Sequence, residues 1–263
     1  MTSRFVKAVR RALGIQPPRA KDLVREGEFV RLTHRFYGPL RVMANDRYIG
    51  GYLQDGRTVF EADIVKVFRR EIRGGRTVLD VGANLGLHSI VLAKHLRARR
   101  RGGRVVALEP HPEILPLTRY NCSPHAEIEL IERAASDAAT VFGMPRILHA
   151  ANPGGVGLYA EAELRVESLA IDSLNLTDVE FMKIDVEGHE LFAVRGAAET
   201  IRRCRPTMVI EVMGGHDRRT AAPDLVAEID RRVQAVRELG YTAEQISPHD
   251  YLFRPQPVRR SAA

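Results

Sequence analysis

The stretch that most constrains the fold spans residues 77–90. It begins as a short apolar, β-branched run, turns at Gly82 and Gly86, and continues with apolar residues at helical spacing from Leu87. This pattern predicts a strand, a tight loop and the N-terminus of a helix. Glycine suits such a loop because it adopts positive φ and because, without a Cβ, it lets a ligand approach the backbone. The free N–H groups of the helix start would face an anionic group in the loop.

The loop spacing, Asp80-x-Gly82-x-x-x-Gly86, discriminates between cofactors. A dinucleotide fingerprint needs glycine at the position of Asn84, because a pyrophosphate must come close to the backbone there. Asn84 therefore disfavours NAD. A strand-terminal acid with this spacing suits a cofactor that has a nucleoside and a charged amino-acid end but no phosphate, which describes S-adenosylmethionine (SAM). An ordinary strand-to-helix turn is the alternative for this stretch taken alone.

Composition sets the outer limits. A chain of 263 residues with 44% hydrophobic and 28% charged residues is ordinary for a globular protein with one core and an appendage. The net charge of +7 could favour acidic partners, but it is explained as well by solubility. Cys122 and Cys204 have neither disulfide nor metal spacing and fit a reducing compartment. With no membrane-spanning run and no signal-peptide core, the sequence predicts a cytoplasmic protein without an integral membrane segment.

Residues 1–60 are predicted to form a small cap, distinct from a SAM-binding domain over residues 61–263. Phe5, Val9 and Leu13 stand at helical spacing among basic residues, which predicts a short amphipathic helix. Such a helix could make weak peripheral contact with a membrane. A lid helix and a frayed terminus are the alternative interpretations. Residues 28–58 show extended patterns punctuated by glycines and predict short strands.

From residue 61 onward, strand and helix patterns alternate. This alternation predicts an α/β fold: a Rossmann-like, seven-stranded, mostly parallel sheet with helices on both faces and right-handed crossovers. The last two strands are expected to add one antiparallel strand. Residues 138–168 interrupt the alternation and predict a hairpin-like insertion. The predicted strands cover residues 77–81, 104–108, 128–131, 179–184, 207–210, 241–246 and 251–254.

Acidic residues follow several of these strands. Ligands of open α/β sheets bind at the carboxyl ends of strands, where Glu109, Asp185, Glu187 and Glu211 are expected. A carboxylate in the position of Glu109 can accept both hydroxyls of a ribose, although capping of the next helix is an alternative. The polar turn at residues 136–137 follows the third strand and could meet an adenine.

Three sequence blocks resemble the FkbM family of SAM-dependent methyltransferases, within the class I Rossmann-like methyltransferase fold. The blocks are residues 78–89, 107–110 and 182–190, the last followed by residues 195–197 and 210–212. The third block is the most specific, and the resemblance covers roughly residues 61–254. It implies a SAM-dependent methyltransferase that acts on hydroxyls of sugars or secondary metabolites, or on some carboxylates.

The resemblance also implies a set of cofactor-binding residues. The glycine loop would line the methionine end of SAM, Glu109 would bind the ribose, and Ser136 with Asp137 would lie near the adenine. The complete candidate set is Asp80, Gly82, Ala83, Asn84, Gly86, His88, Glu109, Ser136, Asp137 and Asp185.

The chemistry of the transfer suggests further candidates. A sulfonium methyl is already activated, so transfer depends on alignment, but a neutral hydroxyl needs a base or a metal to remove its proton. Glu187 and Glu211 should converge because the fourth and fifth strands are expected to be neighbours. Their repulsion would be relieved by a divalent cation, a protonated histidine or a shared proton. The catalytic candidates are therefore Glu187, Glu211, His189 and His216, with Mg²⁺ as an optional cofactor whose ligands stay open.

Competing functions lack their expected residues. A nucleic-acid adenine methyltransferase would carry an Asn/Asp-Pro-Pro-aromatic turn where this chain has residues 185–188, and a cytosine-C5 enzyme would need a nucleophilic cysteine, whereas Cys122 and Cys204 fall on predicted helices. No nucleic-acid partner is expected. The predicted acceptor is a small molecule bearing a sugar or metabolite hydroxyl. A carboxyl methyltransferase and a non-catalytic SAM-binding protein remain alternatives, and a homo-oligomer remains open.

Overall fold

The computed structural model describes residues 24–26, 28–53, 55–147, 152–212 and 223–257. The predicted basic helix within residues 1–13 and the candidate His216 lie outside these residues. The strands are β1 (Val24–Glu26), β2 (Phe29–His34), β3 (Gly38–Met43), β4 (Thr77–Val81), β5 (Arg104–Leu108), β6 (Ile128–Ile131), β7 (Ala134–Ala135), β8 (Val141–Met144), β9 (Leu164–Leu169), β10 (Val179–Ile184), β11 (Thr207–Glu211), β12 (Tyr241–Gln245) and β13 (Asp250–Pro255). The helices are α1 (Ile49–Leu53), α2 (Ala62–Glu71), α3 (Leu87–Arg99), α4 (Leu115–Cys122), α5 (Glu190–Arg195), α6 (Ala198–Cys204) and α7 (Pro223–Arg237), with a 3₁₀ helix at Ile171–Leu174.

The central sheet has seven strands in the order β12-β13-β11-β10-β4-β5-β6. Neighbouring strands from β11 to β6 pair in parallel, and β13 pairs antiparallel with both β11 and β12. The predicted Rossmann-like, mostly parallel sheet with one antiparallel strand is confirmed. The strands β10 and β11 lie side by side next to β4, so the acids that follow them reach the same edge.

Two hydrophobic cores cover the two faces of this sheet. Alternate side chains of one strand enter different cores, as Val78 and Leu79 of β4 do. The first core contains Phe68 of α2 and Ile90 of α3, and the second contains Ile201 of α6. Helices therefore lie on both faces, as predicted.

The cap is an antiparallel sheet in the order β1-β2-β3, followed by α1. The strands were predicted, but α1 was not, because Gly50 and Gly51 suggest a turn. Asp46 stabilises this helix start: its Oδ1 accepts the N–H of Tyr48 at 2.8 Å, and the N–H groups of Ile49 and Gly50 also bond to its carboxylate. Leu40 and Leu53 of the cap belong to the first core, so the cap and the sheet share it.

Two further differences concern the second half of the chain. The sequence pattern predicts one helix from His189 to about Arg203, but the structure has two helices, α5 and α6, separated at Gly196 and Ala197. A Cβ at Gly196 would collide with the carbonyl oxygen of Ser136, so only glycine lets the chain pass this close to Ser136. The predicted insertion is confirmed as the antiparallel pair β8 and β9.

No helix in the described part of the chain combines the length and apolar character needed to cross a bilayer.

Candidate active site

A cavity of about 440 Å³ opens at the carboxyl ends of β4, β5, β10 and β11. The glycine loop and Glu109 line it on the β5 side, and acidic residues line it on the β10 and β11 side. The cap and the insertion supply further walls. Of the predicted site residues, those that line the cavity are Gly82, Ala83, Asn84, His88, Glu109, Asp185, Glu187 and Glu211.

The two loop glycines are required by the protein's own packing. Both have the expected positive φ, 84° at Gly82 and 79° at Gly86. A Cβ at Gly82 would collide with the carbonyl oxygen of Asp185, and one at Gly86 would collide with the sulfur of Cys122. The missing Cβ therefore permits close contact with neighbouring elements at both glycines, and Gly82 also lines the cavity. Gly86 itself does not line the cavity.

Glu109 anchors the glycine loop. It is buried, and its carboxylate accepts the N–H of Asn84 at 2.7 Å with one oxygen and the N–H of His111 at 2.7 Å with the other. Burial raises the pKa of Glu109 to about 7, although these backbone bonds favour the charged form. A carboxylate oxygen has a second acceptor position, so Glu109 can accept ligand hydroxyls as well.

Asp80 lies beneath the cavity and does not line it. It is fully buried, and its Oδ2 accepts the hydroxyl of Ser89 at 2.6 Å. Its Oδ1 has no hydrogen-bond partner and lies 3.9 Å from the Nζ of Lys183. The structure thus gives Asp80 contacts with the start of α3 and with a buried ammonium group, in place of the expected exposure to the methionine end of SAM.

Ser136 and His189 contact each other away from the cavity. The Oγ of Ser136 lies 3.0 Å from the Nε2 of His189, and the histidine ring stacks on Phe192 at 4.4 Å between centroids and also contacts Phe142 of β8. Positive φ values at Glu187 (49°) and at the following glycine (100°) turn the chain before His189. The structure therefore does not bring His189 to Glu187 and Glu211. Asp137 also lies outside the cavity lining.

Asp185, Glu187 and Glu211 converge, as the strand order predicts. One carboxylate oxygen from each lies within 4.8 Å of the others, and Glu187 is the most exposed of the three. Glu211 hydrogen-bonds to Asp185. Burial and the charge of Asp185 strongly raise the pKa of Glu211, so the two carboxyl groups share a proton at neutral pH. Burial, with the charge of Asp185, also raises the pKa of Glu187, to about 7.

Lys183 provides a positive charge that the sequence analysis missed. Its Nζ lies 2.9 Å from the Oδ2 of Asp185, and its side chain is buried. Burial alone would raise the pKa of Asp185, but the ammonium of Lys183 and the hydrogen bond from Glu211 outweigh burial and lower it. The sequence did contain a signal for this ion pair, because a lysine within an apolar strand is almost never buried unless it is paired.

Backbone strain concentrates at this cavity. Six described residues other than glycine have positive φ. Three of them are C-caps of helices, where the left-handed conformation is common, and the other three are Glu61 (45°), Asn84 (50°) and Glu187 (49°), all of which line the cavity. Each such residue costs about 1–3 kcal/mol, so the fold retains strain where ligand contacts are expected.

The cap contributes residues that the sequence analysis did not identify. Glu61 and Phe60 line the cavity together with Tyr48. The Oε2 of Glu61 lies 3.4 Å from the Nε2 of His88, a buried nitrogen without a hydrogen bond. Burial raises the pKa of Glu61 to about 7 and lowers that of His88.

The insertion forms another wall of the cavity. A Cβ at Gly154 would collide with the side chain of Asn84, and one at Gly157 would lie 2.6 Å from the carbonyl oxygen of Glu187. The glycine-rich run at residues 154–157 therefore lets the insertion pack directly on both halves of the site. This run of glycines is the sequence signal from which the position of the insertion could have been predicted. His249, just before β13, also lines the cavity.

A family model matches more than half of the chain. The model of the methyltransferase FkbM domain matches residues 80–243. The hexuronic acid methyltransferase AglP of Haloferax volcanii is 24% identical over 163 residues, which are 60% of this chain and 64% of AglP. The matched region thus spans less than two thirds of that relative.

Solved structures show more distant likeness. Methyltransferase FkbM from Methylobacillus flagellatus KT is 14% identical with a TM-score of 0.46, and the alignment covers 72% of this chain and 50% of that one. Fibrillarin from Aeropyrum pernix, solved with natively bound S-adenosyl-L-methionine, is 10% identical with a TM-score of 0.48 over 88% of this chain and 96% of its own.

Proposed function

Because the chain belongs to the FkbM methyltransferase domain family, we propose that it transfers the methyl group of SAM to a hydroxyl oxygen of a small sugar or related metabolite. The observation that carries this proposal is the single cavity that joins Glu109 and the glycine loop to the acids at the ends of β10 and β11. The name of the relative AglP, a hexuronic acid methyltransferase, supports a sugar as the class of acceptor.

The β5 side of the cavity would bind the cofactor. Glu109 accepts the two ribose hydroxyls, and the backbone of residues 82–84 borders the rest of the nucleoside and the methionine end. The sulfonium and ammonium groups of SAM are cationic, which suits a described cavity lining with more carboxyl groups than lysine and arginine side chains. Asp80 and Gly86 lie behind these residues, and Ser136 lies beside His189 outside the cavity lining, so these three do not contact the cofactor.

The β10 and β11 side would hold the acceptor. Glu187 takes the hydroxyl proton, because a pKa near 7 suits a general base at neutral pH. The acceptor oxygen then forms its bond to the methyl carbon while the carbon–sulfur bond breaks, which leaves S-adenosylhomocysteine (SAH). Glu211 shares its proton with Asp185 and positions the hydroxyl without accepting its proton.

A divalent cation is the alternative way to activate the hydroxyl. Asp185, Glu187 and Glu211 offer oxygen ligands of the kind that Mg²⁺ prefers, and a bound Mg²⁺ would lower the pKa of the acceptor hydroxyl. The ammonium of Lys183 already neutralises Asp185, which favours the version without metal. Activity that EDTA abolishes and Mg²⁺ restores would reverse this preference.

The test of the proposed function is direct. Calorimetry should show binding of SAM and SAH but not of NADH. Incubation with SAM and a panel of sugars and metabolites should give a product heavier by one CH₂ unit, detected by mass spectrometry. An ether product resists mild base, whereas a methyl ester is hydrolysed and would indicate a carboxyl methyltransferase. Binding of SAM without any product would indicate a non-catalytic SAM-binding protein, and failure to bind SAM would refute the proposal.

A further inference from the structure

An exposed aromatic cluster lies at the mouth of the cavity. Tyr48 and Tyr52 are 49% and 44% exposed, whereas most large apolar side chains of the described residues are buried. Their rings are 5.8 Å apart in an edge-to-face arrangement, and both contact the ring of Phe60, at 6.1 and 5.7 Å. Isolated exposed aromatics are ordinary, but two that pack together beside a cavity are a candidate binding surface.

The local structure holds this cluster in place. Asp46 is buried and caps α1, so Tyr48 is held at a defined position immediately before the helix. The N–H of Tyr52 bonds to the carbonyl oxygen of Tyr48 at 3.2 Å, which puts the two side chains one turn apart on the same face. The rings are therefore fixed before any ligand binds, and binding costs little conformational entropy.

The cluster is continuous with the acidic side of the cavity. Tyr48 and Phe60 line the same cavity as Glu187 and Glu211. Burial, followed by the charges of Glu61, Tyr52, Glu211 and Asp185, raises the pKa of the Tyr48 phenol to about 12. A ligand resting on Tyr48 would thus extend toward Glu187.

The charges of the cavity restrict what that ligand can be. The lysine and arginine side chains of the described cavity lining are Lys183 and Arg133, and both are paired with carboxylates: Lys183 with Asp185 at 2.9 Å and Arg133 with Glu167 at 2.7 Å. Glu61 adds another acid to the same region. A ligand carboxylate would meet like charges in a partly desolvated site, and among the described lining residues it would find no unpaired lysine or arginine.

We propose that Tyr48 and Tyr52 bind the apolar C–H face of an uncharged pyranose ring, and thereby select an acceptor without a carboxylate. This inference rests on the proposed function, since it names the class of acceptor. Each pyranose ring has an apolar face of C–H groups and a rim of hydroxyls. Packing that face on an aromatic ring buries apolar area, while the hydroxyls reach the polar end of the tyrosines and the acids.

The probes are two matched panels: the methyl pyranosides of glucose, galactose and mannose, and the corresponding uronic acid glycosides. Saturation-transfer NMR with SAH-bound protein should detect at least one neutral glycoside through its C–H protons, with its uronate binding at least about tenfold more weakly. Stronger binding of the uronates, or no binding of any neutral glycoside to protein that binds SAH, would overturn the inference. Protein that does not bind SAH would instead refute the proposed function.

Variants locate the sugar on the aromatic cluster. Y48A and Y52A should each weaken binding of the neutral glycoside about three- to tenfold, whereas Y48F should retain most of it. Affinity for SAH should change less than about twofold in all three. The matched control is Y159A, because Tyr159 is 53% exposed and lies outside both the cavity lining and the aromatic cluster of Tyr48, Tyr52 and Phe60. Unchanged sugar affinity in Y48A and Y52A, or an equal loss of SAH affinity, would contradict the assignment.

Discussion

The two sides of the cavity stabilise buried carboxylates in different ways. On the β5 side, Glu109 accepts two backbone N–H groups at 2.7 Å each, so the main chain itself holds the charge. On the β10 and β11 side, Asp185 and Glu211 depend on a shared proton and on the side chain of Lys183. Backbone donors cannot be removed by a side-chain substitution, whereas an ammonium group can. The β5 side therefore keeps its backbone donors under any side-chain substitution, whereas the β10 and β11 side is sensitive to protonation and to single substitutions.

The largest expected effect is on catalysis. Glu187→Gln should lower kcat by about 10²–10⁴-fold, because an amide cannot take the proton from the hydroxyl that is methylated. SAM affinity should stay within about twofold in calorimetry. Glu211→Gln should lower kcat less, since its amide can still donate a hydrogen bond to Asp185. Full turnover of both variants at saturating acceptor would show that the general base does not lie on this side of the cavity.

The next effect is on stability. Lys183→Met should lower the free energy of unfolding by about 3–5 kcal/mol, because Asp80 and Asp185 lose the buried cation that balances them. Urea unfolding measures this change. The control is Lys66→Met, whose exposed pair with Asp63 should be worth less than about 1 kcal/mol. Equal effects of the two substitutions would show that the acidic side does not depend on Lys183.

Substitutions on the β5 side of the cavity should change the affinity for the cofactor. Glu109→Ala should weaken SAM binding by about 1–3 kcal/mol in calorimetry, the scale of a lost hydrogen bond to a charged group. Glu132→Ala is the matched control, because Glu132 pairs with Arg119 at the surface and lies outside the cavity. Unchanged SAM affinity in Glu109→Ala would remove Glu109 from the site.

The smallest expected effect is the pH dependence of cofactor affinity. The pKa of Glu109 is raised to about 7 in the free protein, and a ribose hydroxyl donates to the carboxylate form. SAM should therefore bind most tightly above pH 7, and its affinity should fall about tenfold as the pH drops from about 8 to about 6. Calorimetry of the wild type and of Glu109→Gln tests this dependence. A slope retained in Glu109→Gln but lost in Glu187→Gln would move the titrating group to the acidic side.

Much of the framework was predicted because it depends on local patterns. Strands β5, β6 and β10 begin and end at the same residues in the prediction and in the structure. Local patterns were misleading where a distant contact decides the conformation. Gly50 and Gly51 suggest a turn but lie in a helix that Asp46 caps, and the predicted helix over residues 189–203 is divided at Gly196 because that residue packs on Ser136.

The sequence was sufficient to predict the α/β class, the adjacency of the fourth and fifth strands, and the meeting of Glu109, Asp185, Glu187 and Glu211 at one edge. That meeting follows from topology, because parallel strands end at the same edge of a sheet. The tertiary structure was needed to show that Lys183 accompanies the acids and that His189 turns toward Ser136. It also decided that Tyr48 of the cap reaches the cavity. Periodicity reports which residues are buried, but the partner of a buried charge depends on contacts between segments far apart in the chain.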